Sequence, residues 1–161
     1  MKTRRKNYHP YIDSYIDGCR SGKIVVNKDI LLACDLIENK LDDLDIFIDS
    51  EKIDKAVGLM ERYFRIKLFD WELLVTACIH CFYNSNDTVV FDEFVLEMGR
   101  GNGKNGFISP VGWYLTTHYH NITGYNVDII ANSQDQATTS FNDIYTMLEQ
   151  TWTKSKKFFT I

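Results

Sequence analysis

Glu97–Phe107 reads EMGRGNGKNGF: Gly99, Gly101, Gly103 and Gly106 crowd around Lys104. Three readings compete for this stretch. A dinucleotide fingerprint, G-x-G-x-x-G, fails on spacing. Gly99, Gly101 and Gly103 give G-x-G-x-G, and Lys104 stands where the third glycine belongs. A tight turn without a ligand needs one or two glycines and no lysine at the mouth of a helix. A phosphate loop, G-x-x-x-x-G-K-[ST], needs a strand before it and a helix after it.

The surrounding pattern meets that last requirement. Thr88–Met98, TVVFDEFVLEM, is β-branched and aromatic and reads as a strand. Asn105–Tyr119 reads as a helix, with Pro110 kinking its early turns. Backbone N–H groups of such a loop form an anion nest, and the helix N-terminus adds partial positive charge. Lys104 would reach a β- or γ-phosphate, and Arg100 is either a phosphate clamp or a surface arginine. Met98 replaces the first glycine of the motif, and Asn105 replaces the hydroxyl residue that normally ligates Mg²⁺. An amide oxygen can still do so.

Working outward, the N-terminal half is helical in pattern. Tyr11, Ile12, Tyr15, Ile16 and Cys19 recur at helical spacing. Asn27 is placed to cap a second helix with Ile30, Leu31, Cys34, Ile37 and Leu41 on one face. A third starts at Ser50 with Ile53, Val57, Met60 and Phe64 inward, and a fourth runs from Trp71 to about Tyr83, capped by Asp70. Beyond the loop, Tyr125–Asn132 reads as a strand. A helix with Ala137, Phe141, Ile144 and Leu148 inward follows, and residues 156–161 begin another strand. The expected fold class is α/β: an incomplete parallel sheet of the P-loop NTPase type behind an N-terminal helical arm. The expected division is an arm over residues 1–66 and an ATPase portion over 67–161.

With 161 residues, 45% hydrophobic and 25% charged, the chain can bury a real core. A net charge of -4 gives no general pull toward nucleic acid. The basic N-terminus (Lys2, Arg4, Arg5, Lys6) reads as a solvated end with no apolar segment behind it, so a cytosolic setting is expected. Cys78 and Cys81 have CxxC spacing but no second ligand pair, so they read as core cysteines. The acidic run of Asp42, Asp43, Asp45 and Asp49 reads as a solvated loop.

From Leu68 to Glu149 the chain carries LFDWELLVTACIHCFYN, VVFDEFVLEMGRGNGKNGFISPVGWYL and YNVDIIANSQDQATTSFNDIYTMLE. In this order they resemble the N-terminal ATPase region of the large terminase subunit of tailed bacteriophages. The resemblance implies a P-loop motor that uses ATP and Mg²⁺ to package double-stranded viral DNA through a portal into a procapsid. It also implies a small terminase subunit as partner and the bacterial host's cytoplasm as setting. By resemblance, Gly99, Arg100, Gly101, Asn102, Gly103, Lys104 and Asn105 form the phosphate loop, with Lys104 and Arg100 catalytic and Asn105 at the metal. Trp71 and Glu72 match the adenine-side motif, where the family usually has Trp-Gln. An ionised glutamate accepts but does not donate, which puts base selectivity in question. Asn132, Gln134 and Gln136 match the segment after the second strand.

Thr88–Glu93, TVVFDE, looks like the strand that carries the family's hydrolytic carboxylates, but it feeds the loop itself and is misplaced for that role. No hydrophobic strand ending in Asp-Glu follows Lys104. The chain is therefore expected to be an N-terminal piece that binds nucleotide and hydrolyses it very slowly. The alternative is a non-catalytic interaction module, or a prophage remnant, that docks a terminase partner through the helical arm.

Overall fold

The computed structural model describes residues 7–43, 45–80, 82–99, 101–120, 122 and 124–155. The helices are α1 (Pro10–Arg20), α2 (Lys28–Leu41), α3 (Ser50–Phe64), α4 (Asp70–His80), α5 (Lys104–Thr116) and α6 (Gln134–Ser155). A short 3₁₀ turn covers His118–His120, and two short strands are β1 (Ile46–Ile48) and β2 (Phe82–Asn84). The chain forms two compact units, Met1–Asp54 with Phe69–Phe94, and Lys55–Leu68 with Val95–Ile161.

In the first unit, local chemistry starts the helices where the side chains can satisfy free amides. His9 Nδ1 accepts from the Tyr11 amide at 3.3 Å, with Pro10 as the first helical residue of α1. Asn27 Oδ1 accepts from the Ile30 amide at 3.0 Å, which is the cap expected for α2. Ile12, Ile16, Leu41, Ile53, Ala77 and Phe82 meet in one core, each worth roughly 1.5–3 kcal/mol if large and fully buried. Arg20 ties α1 to α2, bonding Asp35 at 2.6 Å and also Glu38. β1 and β2 pair antiparallel, with Phe47 opposite Tyr83.

The second unit is built around α5. Trp113 is buried and its ring lies 5.2 Å from Tyr63 and 5.8 Å from Phe64. Phe107 and Tyr114 are buried on the same helix. Pro110 sits inside α5, which runs on to Thr116. Val127 reaches the face of α5 at Gly112, where a Cβ would stand 3.5 Å from Val127 Cγ1.

The expected parallel sheet is absent among the described residues, and the α/β P-loop fold class is corrected accordingly. The one sheet has two strands and is antiparallel. Residues 91–99 have no regular structure, and in the run before them Val89 only bridges Tyr83. Residues 125–131 likewise form no strand, and 156–161 lie outside the described residues. The physical reason is exposure. A parallel strand is covered on both faces, whereas Val95 is 85% and Ile130 93% exposed. β-branched residues favour extended backbone, but a ladder forms only where a partner strand is supplied.

Two smaller corrections follow. α4 ends at His80, and Phe82 and Tyr83 belong to β2 instead of the helix. In α6 the inward residues are Ser140 and Met147, while Phe141 is 61% exposed. Among the described residues no helix is long and apolar enough to cross a membrane.

Candidate functional site

The glycine-rich loop opens directly onto α5. Gly101 and Gly103 hold left-handed backbone, with φ of 87° and 76°. Glycine is the residue that adopts it without strain. The Asn102 amide points back to the Gly99 carbonyl at 3.4 Å, closing a turn. Gly103 is the N-cap of α5 and brings no side chain to accept from the first turn. The first N–H groups of a helix have no acceptor within it, so they remain for a ligand. Lys104 is the first helical residue and Asn105 the second, and both are exposed.

This loop forms one side of a cavity of about 880 Å³. Its lining includes Gly99, Gly101 to Gly106 and Ile108 from the loop and α5, Ile129 to Ala131, and Gln136 and Ser140 from α6. A volume of this size suits a small-molecule ligand. Among the described residues no carboxylate lines it, and Lys104 is the charged side chain there. The field there favours an anion.

The structure brings some sequence-predicted residues together and leaves others elsewhere. Gly99, Gly101, Asn102, Gly103, Lys104 and Asn105 share the cavity with Gln136. Asn132 and Gln134 are exposed at the start of α6 and outside that lining. Arg100 and Cys81 lie outside the described residues. Trp71 and Glu72 belong to the first unit, whereas the loop belongs to the second.

Trp71 packs, half-buried, against the first unit's core. Glu72 is buried, and its Oε2 accepts from the Phe69 amide at 2.8 Å. This is the glutamate half of a capping box, reaching back from the third helical position. Burial pushes the Glu72 carboxyl above the usual carboxylate range, and the Phe69 N–H opposes that shift.

Asn105 offers an amide oxygen to a cation, but among the described residues the lining adds no carboxylate. Among the described residues no group of three or more His, Cys, Asp or Glu is arranged to hold a metal ion. Cys78 is a core residue, as its apolar helix suggested, and burial pushes its thiol up to about 12.

Comparison with protein-family models, with curated proteins and with solved structures finds no match to this chain. Sequence reasoning missed Ser140 and the contact between Ser109 and Asp143. Small polar residues leave no trace in apolar periodicity, although a serine within a helix stripe is a cue to look.

Proposed function

We propose that the second unit binds the phosphates of a nucleotide at Gly99–Gly106, and that the chain is a nucleotide-binding part of a terminase large subunit. The observation that carries this is a juxtaposition. The loop and the segment around Gln136, two of the three stretches that carry the family resemblance, line one cavity. The uncapped amides of α5, two left-handed glycines and Lys104 supply donors and positive charge on one side. The strand expected to feed the loop is not formed at residues 91–99, so what supports this reading is the loop amides and the start of α5 alone.

Among the described residues the lining includes no carboxylate or histidine to take a proton from water. The proposal is thus for binding, with ATP and Mg²⁺ as the ligand pair. DNA, portal and small-subunit partners, and the host cytoplasm, are proposals that rest on the same resemblance.

The test is a thermal melt of the full chain with ATP and Mg²⁺. The expected result is a raised Tm that Lys104→Ala removes. An equal rise in the variant would end the assignment of this loop.

A second reading, an interaction module, is favoured by the exposed Val25, Leu32 and Leu36 of the first unit. Leu32 and Leu36 lie one turn apart on α2. It expects a small terminase subunit to bind the wild-type chain and to lose that binding with Leu32→Asp and Leu36→Asp.

A further inference from the structure

We infer that Ser140, with Gln136 one helical turn before it, forms the second polar wall of the phosphate site and takes up the outermost phosphate of a nucleoside triphosphate. The inference rests on the reading of the loop as a phosphate site.

The first observation is the state of the Ser140 hydroxyl. Ser140 is 5% exposed and lines the cavity. Hydroxyls inside helices usually bond the carbonyl one turn back. Its neighbours on α6 do so: Thr138 donates to the Gln134 carbonyl at 2.9 Å and Thr139 to the Asp135 carbonyl at 2.9 Å. Thr151 donates to the Met147 carbonyl at 2.7 Å, and Ser109 on α5 lies 2.8 Å from the Asn105 carbonyl. Ser140 makes no such bond among the described residues. Its oxygen is not among the buried side-chain atoms left without a partner, so it is open to the cavity that Ser140 lines. In a cavity, that hydroxyl is positioned to donate to whatever enters.

The second observation is placement. Gln136 and Ser140 are four residues apart, so they stand on the same face of α6. Both face the cavity that Lys104 and the loop amides enter from α5. The loop and the start of α5 line one side of the cavity. A terminal phosphate carries three non-bridging oxygens and needs donors from a second direction. A serine hydroxyl and a glutamine amide can provide those donors. The ligand class that uses both walls is a triphosphate, and a diphosphate uses the loop alone.

The experiment is isothermal titration of the full chain with ATP, ADP and inorganic tripolyphosphate, each with Mg²⁺. Wild type is compared with Ser140→Ala, Gln136→Ala and Lys104→Ala. Ser140→Ala is expected to weaken ATP and tripolyphosphate by about tenfold, the scale of one hydrogen bond to a charged group. ADP should change by less than about twofold, since it does not reach that hydroxyl. Gln136→Ala should show the same split, and Lys104→Ala should weaken all three. The ligand-free Tm of Ser140→Ala should stay close to that of wild type, because the hydroxyl opens onto the cavity. Equal losses for ATP and ADP, or no loss in either variant, would overturn the second wall and leave the loop assignment standing. Failure of wild type to bind any of the three would overturn both.

Discussion

Ser109 Oγ stands 2.9 Å from Asp143 Oδ2, so a hydroxyl of α5 meets a carboxylate of α6. Ser109 is buried, and its Oγ also lies 2.8 Å from the Asn105 carbonyl, within the first turn that opens onto the cavity. One proton thus serves two acceptors, and the pairing links the helix carrying Lys104 to the helix carrying Gln136 and Ser140. Ser109→Ala is expected to destabilise the chain by about 1 kcal/mol, the net worth of an ordinary intramolecular hydrogen bond. It should also weaken triphosphate binding although Ser109 lies outside the cavity lining. Chemical denaturation and titration with ATP check both. Asp143→Asn keeps an acceptor and should lose less.

Glu72 gives a pH-dependent prediction with a defined sign. Burial raises its folded-state pKa above the ordinary value. The unfolded chain then releases the proton first, so the stability from this group is fully present below the unfolded value of ~4.3 and is lost as pH rises through the folded one. Glu72→Gln cannot ionise, yet its amide oxygen still accepts from Phe69. The variant should be at least as stable as wild type at neutral pH, with a flatter Tm profile above roughly pH 4.3. A sharp drop in Tm at neutral pH would show that the charge itself holds the start of α4.

The loop glycines separate backbone strain from packing. A Cβ added at Gly103 would meet nothing within 4 Å, but its φ of 76° is left-handed. Gly103→Ala should therefore destabilise by roughly 1–2 kcal/mol through the backbone alone. A Cβ at Gly106 also meets nothing within 4 Å, and Gly106 lies within α5. Gly106→Ala should be neutral or stabilising by up to about 1 kcal/mol. Opposite signs in paired urea melts support the loop geometry, and a destabilising Gly106→Ala would contradict it.

The cysteine core makes a labelling prediction. Burial pushes Cys34 up to about 11, with the neighbouring Cys19 adding to the rise, and burial pushes Cys78 up to about 12. The thiolate is the nucleophile, so both thiols should resist alkylation at pH 8 in the folded chain and react quickly in denaturant. Peptide mapping after a timed iodoacetamide pulse reads this directly. Fast native labelling at Cys34 would mean that α1 and α2 open readily.

Local chemistry was legible in the sequence, and long-range pairing was not. Asn27 announced its cap, and the faces of α1 and α3 followed from the spacing of Ile12, Ile16, Ile53 and Met60. The glycines of Gly99–Gly106 marked a loop before α5, where Gly101 and Gly103 hold left-handed backbone, but the strand expected to feed it is not formed. The parallel sheet was misread because Val89, Val90, Ile129 and Ile130 signal extended backbone without naming a partner. β1 and β2 escaped notice because three residues are too few for a period of two to register. Phe141 was placed inward by its helical spacing with Ala137, Ile144 and Leu148, while the buried residues of α6, among those described, are Ser140 and Met147. Glu72 stands three residues after the residue preceding α4, a capping position that could have been read as such.

The most direct test of the phosphate site is a map of backbone amide NMR shifts of the full chain during titration with ATP and Mg²⁺. The largest shifts are expected at the amides of Gly101 to Gly106, with a second group at Gln136 to Ser140. Shifts centred on Trp71 and Glu72 instead, or no shifts at saturating ATP, would contradict a phosphate site at the mouth of α5.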